Sequence, residues 1–257
     1  MNGAKVDACE AMHSGASRPW HPIPIIESGE PLWPLPGELL RLEPHPYQAL
    51  GAPYGEGASP FQLRRGVIER LLHAQRLLQQ ERHGWRLAIF DGWRPVAVQR
   101  FMVEHTFASE CRRRGVDQHQ PSAERDQVIE AVARLWAPPS EDPATPPPHS
   151  TGAAVDLTLV DQRGQTVPMG SAIDAIGAIA EPKHPGRLAQ ALPPGEERET
   201  LLRQQQHCDL LHQAMAGAGF AQHPGEWWHF SWGDQLWAWR CGVPEAFYGR
   251  WSKGSTA

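Results

Sequence analysis

Two short segments carry the residue types that could do chemistry. One reads Glu226-Trp227-Trp228-His229, and the other runs from His149 through Gly152 to Asp156. Together they offer two imidazoles and a carboxylate that could hold a metal ion, with a second carboxylate left over as a base. Three protein ligands and an open fourth position are the make-up of a catalytic zinc site. Upstream lies Asp91-Gly92-Trp93-Arg94-Pro95. The Arg94 guanidinium is permanently charged and carries five donors, so it can hold a carboxylate or a developing oxyanion. Its plainer role would be a surface ion pair, for instance with Asp91.

These residues need particular elements to bring them together. The His149–Asp156 spacing fits neither one helix face nor one strand face. A bend at Gly152 would leave His149 at the end of a Pro-rich loop and Asp156 inside the strand that follows. A surface histidine beside a strand-end aspartate is the alternative. Glu226 and His229 would share a face on a helix, but Pro224-Gly225 and the aromatic run favour a strand. There i and i+3 point to opposite sides. Glu226 must then stand at the strand entrance, or a bulge must re-aim it.

The rest of the chain reads as follows. Residues 1–20 are small and polar and are expected to be disordered. Residues 21–257 read as a single domain, of which 21–60, rich in Pro and Gly, form an irregular wrapping segment. Apolar spacing predicts a helix over 61–83, capped by Ser59, with Pro60 in its first turn and Gly84 at its end. A strand follows over 85–90, then helices over about 95–114 and 122–136. The proline-rich stretch 138–148 can be neither helix interior nor central strand. Residues 154–160 read as a strand, 165–167 as a short second one, and 196–218 as a long helix closed by Gly219. The aromatic segments 226–232 and 235–240 read as strands. The sum is an α+β fold: a small, largely antiparallel sheet with flanking helices.

Composition narrows the class. A chain of 257 residues can bury one large core. The formal net charge of -5 argues against a nucleic-acid partner, and Arg112-Arg113-Arg114 reads as a solvated helix end. No run approaches the roughly 20 apolar residues of a membrane span, and Met1–Trp20 lacks the apolar core of a signal peptide. The four cysteines, Cys9, Cys111, Cys208 and Cys241, form no CxxC pair. That excludes a cysteine-rich zinc knuckle and fits free thiols in a reducing, cytoplasmic setting. Tryptophans crowd the C-terminal end as core or pocket-wall residues.

Four motifs in order carry a family resemblance: DGWRP at 91–95, PPHSTGAAVD at 147–156, MGSAID at 169–174 and EWWHF at 226–230. The chain resembles the D-alanyl-D-alanine dipeptidases, a group of zinc peptidases, over about residues 45–232. The resemblance implies one zinc ion held by His149, Asp156 and His229. It makes Glu226 the general base and acid, and Arg94 the group that polarises the scissile carbonyl. Asp174 falls where the family places a carboxylate near the substrate's ammonium, and Tyr47 matches a tyrosine lining the same pocket.

Three departures touch the substrate side. Pro147 stands where the family has a serine, Ile173 replaces a phenylalanine and Phe230 a tyrosine. The ligand set is intact while the substrate-binding groups are altered. The implied partner is a small dipeptide from cell-wall chemistry. A D,D-carboxypeptidase or endopeptidase on peptidoglycan stem peptides stays open, as does a non-catalytic zinc-stabilised binding domain of the hedgehog kind. Among the other histidines, His207 and His212 do not share a helix face. His223 reads as a rim residue, and His184 as one bordering the pocket.

Overall fold

In a computed structural model of the chain, residues 18–252 are described. Among them are seven short strands: β1 (Leu32–Pro34), β2 (Leu40–Arg41), β3 (Gln62–Arg64), β4 (Arg86–Asp91), β5 (Ala154–Val160), β6 (Ala221–Gln222) and β7 (His229–Ser231). The helices are α1 (Pro46–Ala49), α2 (Arg65–Glu81), α3 (Val96–Arg114), α4 (Ala123–Leu135), α5 (His184–Ala191), α6 (Glu196–Gly217) and α7 (Gln235–Cys241). The main sheet has five strands in the order β2-β4-β5-β7-β6, and β1 pairs with β3 in a separate ribbon. Only β2–β4 is parallel; every other pairing is antiparallel. This is the α+β fold with a small, largely antiparallel sheet.

Strand alternation divides the sheet into two faces. Leu87 and Ile89 of β4, Val155, Leu157 and Leu159 of β5, and Phe230 of β7 face one way. They pack with Val67, Leu71 and Leu78 of α2 and Leu211 and Met215 of α6 in the main core. A second core joins Val98, Met102 and Phe107 of α3, Val128 and Val132 of α4, Tyr47, Tyr54 and Trp136. The polar residues of β5 and β7 lie on the face opposite the main core.

One irregularity decides what that face carries. The β4–β5 register runs Leu87 opposite Leu159 and Ile89 opposite Leu157, then slips so that Asp91 stands opposite Asp156. Without the slip Asp91 would follow Leu87 and Ile89 into the main core. The extra residue re-aims it. Asp156 in turn stands opposite His229. Asp91, Asp156 and His229 therefore form one row across three adjacent strands.

The structure corrects several boundaries. The helix expected over 61–83 begins at Arg65, because 62–64 pair as a strand with β1. Ser59 does not cap it; its hydroxyl accepts from the Phe61 amide in a local turn. The segment 235–240 is a helix, not a strand. The Asp234 side chain accepts from the Trp237 amide at its start, and Gly242 closes it in the left-handed region at φ 67°. There the cap outweighs the strand preference of the tryptophans. The strand over 165–167 is reduced to one bridge, Val160 with Thr166. Within 21–60 lie β1, β2 and α1. The disorder expected for the N-terminus falls outside the described residues over 1–17. Residues 18–20 are placed, with Trp20 buried.

Candidate active site

Each arm of the site has a local cause. His149 sits in a 3-10 turn over Pro148–Thr151 that ends at Gly152 in the left-handed region, φ 70°. A Cβ at Gly152 would stand 2.3 Å from Leu32 Cδ2, so only glycine lets the chain turn this close to β1 and enter β5. Glu226 lies in the loop before β7, not in the strand. That loop is pinned by the Trp227 amide donating to the Ala180 carbonyl and by Gln222 donating to the Trp227 carbonyl. The entrance position anticipated for Glu226 is the one it occupies.

Donor atoms of His149, Asp156 and His229 all lie within 4.8 Å of one another, and all three residues are buried. His149 Nε2 is 3.2 Å from His229 Nδ1 and 3.1 Å from Asp156 Oδ2. His229 Nδ1 is 3.0 Å from Asp156 Oδ1. Ligand atoms at roughly 2.0–2.1 Å from a tetrahedral Zn²⁺ stand about 3.3 Å apart. The donor set therefore fits a metal ion of that size without rearrangement.

The outer nitrogens fix which atoms face inward. His149 Nδ1 lies 2.7 Å from the Gly92 carbonyl, which can only accept, so Nδ1 carries the proton and Nε2 is free as a ligand. His229 Nε2 faces Ser231 Oγ at 3.4 Å, and that hydroxyl donates to Asp234 Oδ2 at 2.8 Å. Gly92 can approach because it lacks a Cβ, which would stand 2.7 Å from the Pro60 carbonyl.

The electrostatics suit these roles. Asp156 is held ionised against its burial by His149 and His229, well below the usual carboxylate range. Burial keeps the His229 imidazole below its ordinary value although Asp156 opposes this. In His149 burial, which lowers it, is outweighed by Asp156, which raises it above its ordinary value. Glu226 is pushed well above its ordinary value by burial, then by Asp156 and Asp174. Its Oε2 lies 3.8 Å from His229 Nδ1 and its Oε1 3.6 Å from His223 Nδ1.

Arg94 is no surface ion pair. It is buried, with Nε donating to Asp91 Oδ2 at 2.9 Å, Nη1 to Gln99 at 2.8 Å, and Nη2 lying 3.5 Å from Asp156 Oδ2. Its guanidinium lies 4.8 Å from the Trp136 ring centroid and 5.0 Å from that of Tyr47. Burial opposes its charge, but Asp91, Tyr47 and Asp156 hold it above its ordinary value. Asp91 also meets Tyr54 and His45, each at 3.2 Å, and is completely buried.

Asp174 lines the same pocket and accepts a 2.7 Å hydrogen bond from the Tyr47 hydroxyl. Its backbone is in the left-handed region at φ 63°, uncommon for a residue with a side chain. Burial, with Asp156 nearby, pushes its carboxyl up to about 7. Tyr47 stands behind Asp174 instead of on the cavity wall. His184 starts α5 and is not among the residues lining the pocket, whereas His223 is. Sequence reasoning missed Arg18, Trp20 and Trp136 in the pocket wall; His223, read as a rim residue, lines it too, and the Asp91 pairing foreseen for Arg94 is buried instead of lying at the surface. The DGWRP motif held the only signal for Asp91.

Comparison with known proteins covers most of the described fold. The profile of peptidase family M15, described as D-ala-D-ala dipeptidase, matches residues 41–248. The chain belongs to this family. A D-alanyl-D-alanine dipeptidase of Synechocystis is 44% identical over 243 residues, covering 91% of this chain and 96% of the relative. The dipeptidase of the same name from Enterococcus faecium is 28% identical over 166 residues, 64% of this chain and 69% of its own. That from Escherichia coli K12 aligns locally, 37% identical over 82 residues, 32% of this chain and 36% of its own. As a member of a peptidase family the chain is an enzyme, and its His-Asp-His cluster is compatible with a metal ion. Among the described residues no helix is long and apolar enough to cross a membrane.

Proposed function

We propose that this protein is a zinc-dependent dipeptidase that hydrolyses D-alanyl-D-alanine or a similar small dipeptide. The observation that carries the reading is the donor triangle of His149, Asp156 and His229 with Glu226 beside it, in a chain of this family. Zinc held there would supply a Lewis acid for the scissile carbonyl and lower the pKa of the attacking water. Glu226 takes the proton of that water and returns it to the leaving amine. Burial, with Asp156 and Asp174 nearby, raises its pKa, which is the direction that strengthens a carboxylate as a base. Arg94, fixed by Asp91 and Gln99, keeps positive charge where the carbonyl oxygen becomes negative. Asp174, steadied by Tyr47, receives the substrate's ammonium. Pro147 offers neither a hydroxyl nor an N–H, so discrimination among dipeptides is weaker than in relatives with serine there.

One feature favours a longer substrate. A neighbouring groove, lined by Ala175, Gly177, Ala178 and Gly225, shares Arg134, Leu135 and Glu226 with the pocket. A carboxypeptidase or endopeptidase acting on peptidoglycan stems would use it. Buried Cys111 and Cys208 as free thiols support a cytoplasmic setting and so a free dipeptide. The deciding experiment is a mass-spectrometric assay of the purified protein on D-Ala-D-Ala, L-Ala-L-Ala and D-Ala-D-lactate, with and without chelator. N-acetyl-D-Ala-D-Ala is added as a stem mimic. Chelator-sensitive cleavage of free D-Ala-D-Ala supports the reading; preference for the acetylated peptide favours the stem alternative.

A further inference from the structure

Three cations line the pocket: Arg18, Arg94 and Arg134. Two are accounted for. Arg94 is held by Asp91, Gln99 and Tyr47 and is assigned to the carbonyl oxygen in the proposed reaction. The Arg134 side chain is 80% exposed and pairs with Glu130, so it belongs to the rim.

Arg18 is different. Its Nη2 donates to the carbonyls of Ala133 and Trp136 at the C-terminal end of α4. Its Nε is buried with no hydrogen-bond partner, and among the described residues Nη1 has none either. A buried, unpaired donor on a charged group is costly, and such groups in native proteins call for a partner. The side chain is also held in place. The His21 amide donates to the Arg18 carbonyl at 3.1 Å, and Gln235 donates to the carbonyls of His21 and Ile23 at 3.2 and 2.7 Å. Trp20 anchors the same turn, buried edge-on against His223 at 5.8 Å. Arg18 lies outside the segment that the family profile matches, 41–248.

We propose that Arg18 is the residue that binds the terminal carboxylate of the substrate. The inference rests on the dipeptidase reading and deepens it. A free dipeptide carries one ammonium and one carboxylate. The pocket offers the half-buried Asp174 for the first, and for the second Arg18, a part-buried guanidinium with donors that have no partner among the described residues. That group is charged and planar and stands on a fixed turn.

The test compares D-Ala-D-Ala with its C-terminal amide, which keeps the ammonium and loses the carboxylate charge. Turnover is measured on the zinc-loaded enzyme, and binding by calorimetry in a zinc-loaded Glu226→Gln background. The parent should prefer the acid by roughly tenfold to a hundredfold, the scale of one charge-assisted hydrogen bond. Arg18→Ala should erase that preference, mainly through KM for the acid. Arg18→Lys should keep part of it. Arg18→Gln retains a donor for the α4 carbonyls and should behave like alanine, which separates charge recognition from helix capping. Equal weakening of acid and amide would make Arg18 merely structural and overturn the proposal, as would a parent that does not distinguish them. Cleavage with an intact preference in Arg18→Ala sinks this inference alone; a parent that neither binds nor cleaves any dipeptide sinks the dipeptidase reading with it.

Discussion

The pocket has two walls built in different ways. One is the sheet wall, where strand register places Asp91, Asp156 and His229 in a row and the turn before β5 adds His149. The other is a loop wall, made of Asp174 on a left-handed backbone and Arg18 on a turn before the first strand, while Glu226 enters from the loop that leads into β7 of the sheet wall. The first wall holds its donor atoms through paired strands and a second layer of hydrogen bonds. The second presents charges on segments that can change without disturbing the sheet. Chemistry is placed on the rigid part and selectivity on the adjustable part, a division that lets one scaffold accept different substrates.

Breaking the sheet wall should have the largest effect. His229→Ala or Asp156→Ala should lose stoichiometric zinc by elemental analysis and lose turnover by roughly 10³-fold or more, since a three-ligand site does not survive on two. Glu226→Ala should instead keep zinc and lose turnover by about 10²–10⁴-fold, the scale of general acid–base catalysis. Metal loss in that variant would move Glu226 into the ligand set. Arg94→Lys keeps the charge that balances Asp91 but loses the planar fork. Its kcat should fall roughly 10–10²-fold with a smaller rise in KM, and a pure KM effect would leave Arg94 only as an anchor.

The loop wall should respond in KM. Asp174→Asn should raise KM by about tenfold or more with kcat near the parent's, as loss of one charge-assisted contact requires. Because Asp174 ionises near 7, KM of the parent should fall as pH rises from 6 towards 7.5, and that dependence should vanish in the variant. Above roughly pH 8 the substrate's own ammonium is lost and KM should rise again in both. The smallest effect tests the hidden layer of the sheet wall. Ser231→Ala removes the acceptor for His229 Nε2 and should weaken zinc affinity about tenfold in competition with a chelator. A null result would confine the positioning of His229 to its strand.

The same division decides how much could be read from the chain. The sheet-wall residues sit inside motifs whose spacing expresses strand and turn geometry, so His149, Asp156, His229 and Glu226 were legible together. The helix over 123–135 was legible from its apolar positions, and the one over 96–114 from Pro95 at its start. Arg18 and Trp20 were not, because a short polar segment contains no periodic signal and its packing comes from partners more than 100 residues away, such as Ala133 at a separation of 115. The slip that turns Asp91 away from the core leaves no mark in composition. The helix at 235–241 was hidden because its tryptophans favour strands while the decisive signal, the Asp234 cap, is a single residue.

The row across β4, β5 and β7 also has a kinetic meaning. His149 meets Gly92 at a separation of 57 residues, and His229 meets Asp156 at 73. No local segment therefore contains a working fragment of the catalyst. Contacts of such range close late in folding, after the loop-closure entropy has been overcome. A chain emerging from the ribosome holds Asp91, His149 and Asp156 long before β7 can join them, and until it does there is no complete donor set. The donor triangle is complete only when the last strand of the row joins, so capture of a metal ion would report that this sheet has finished assembling.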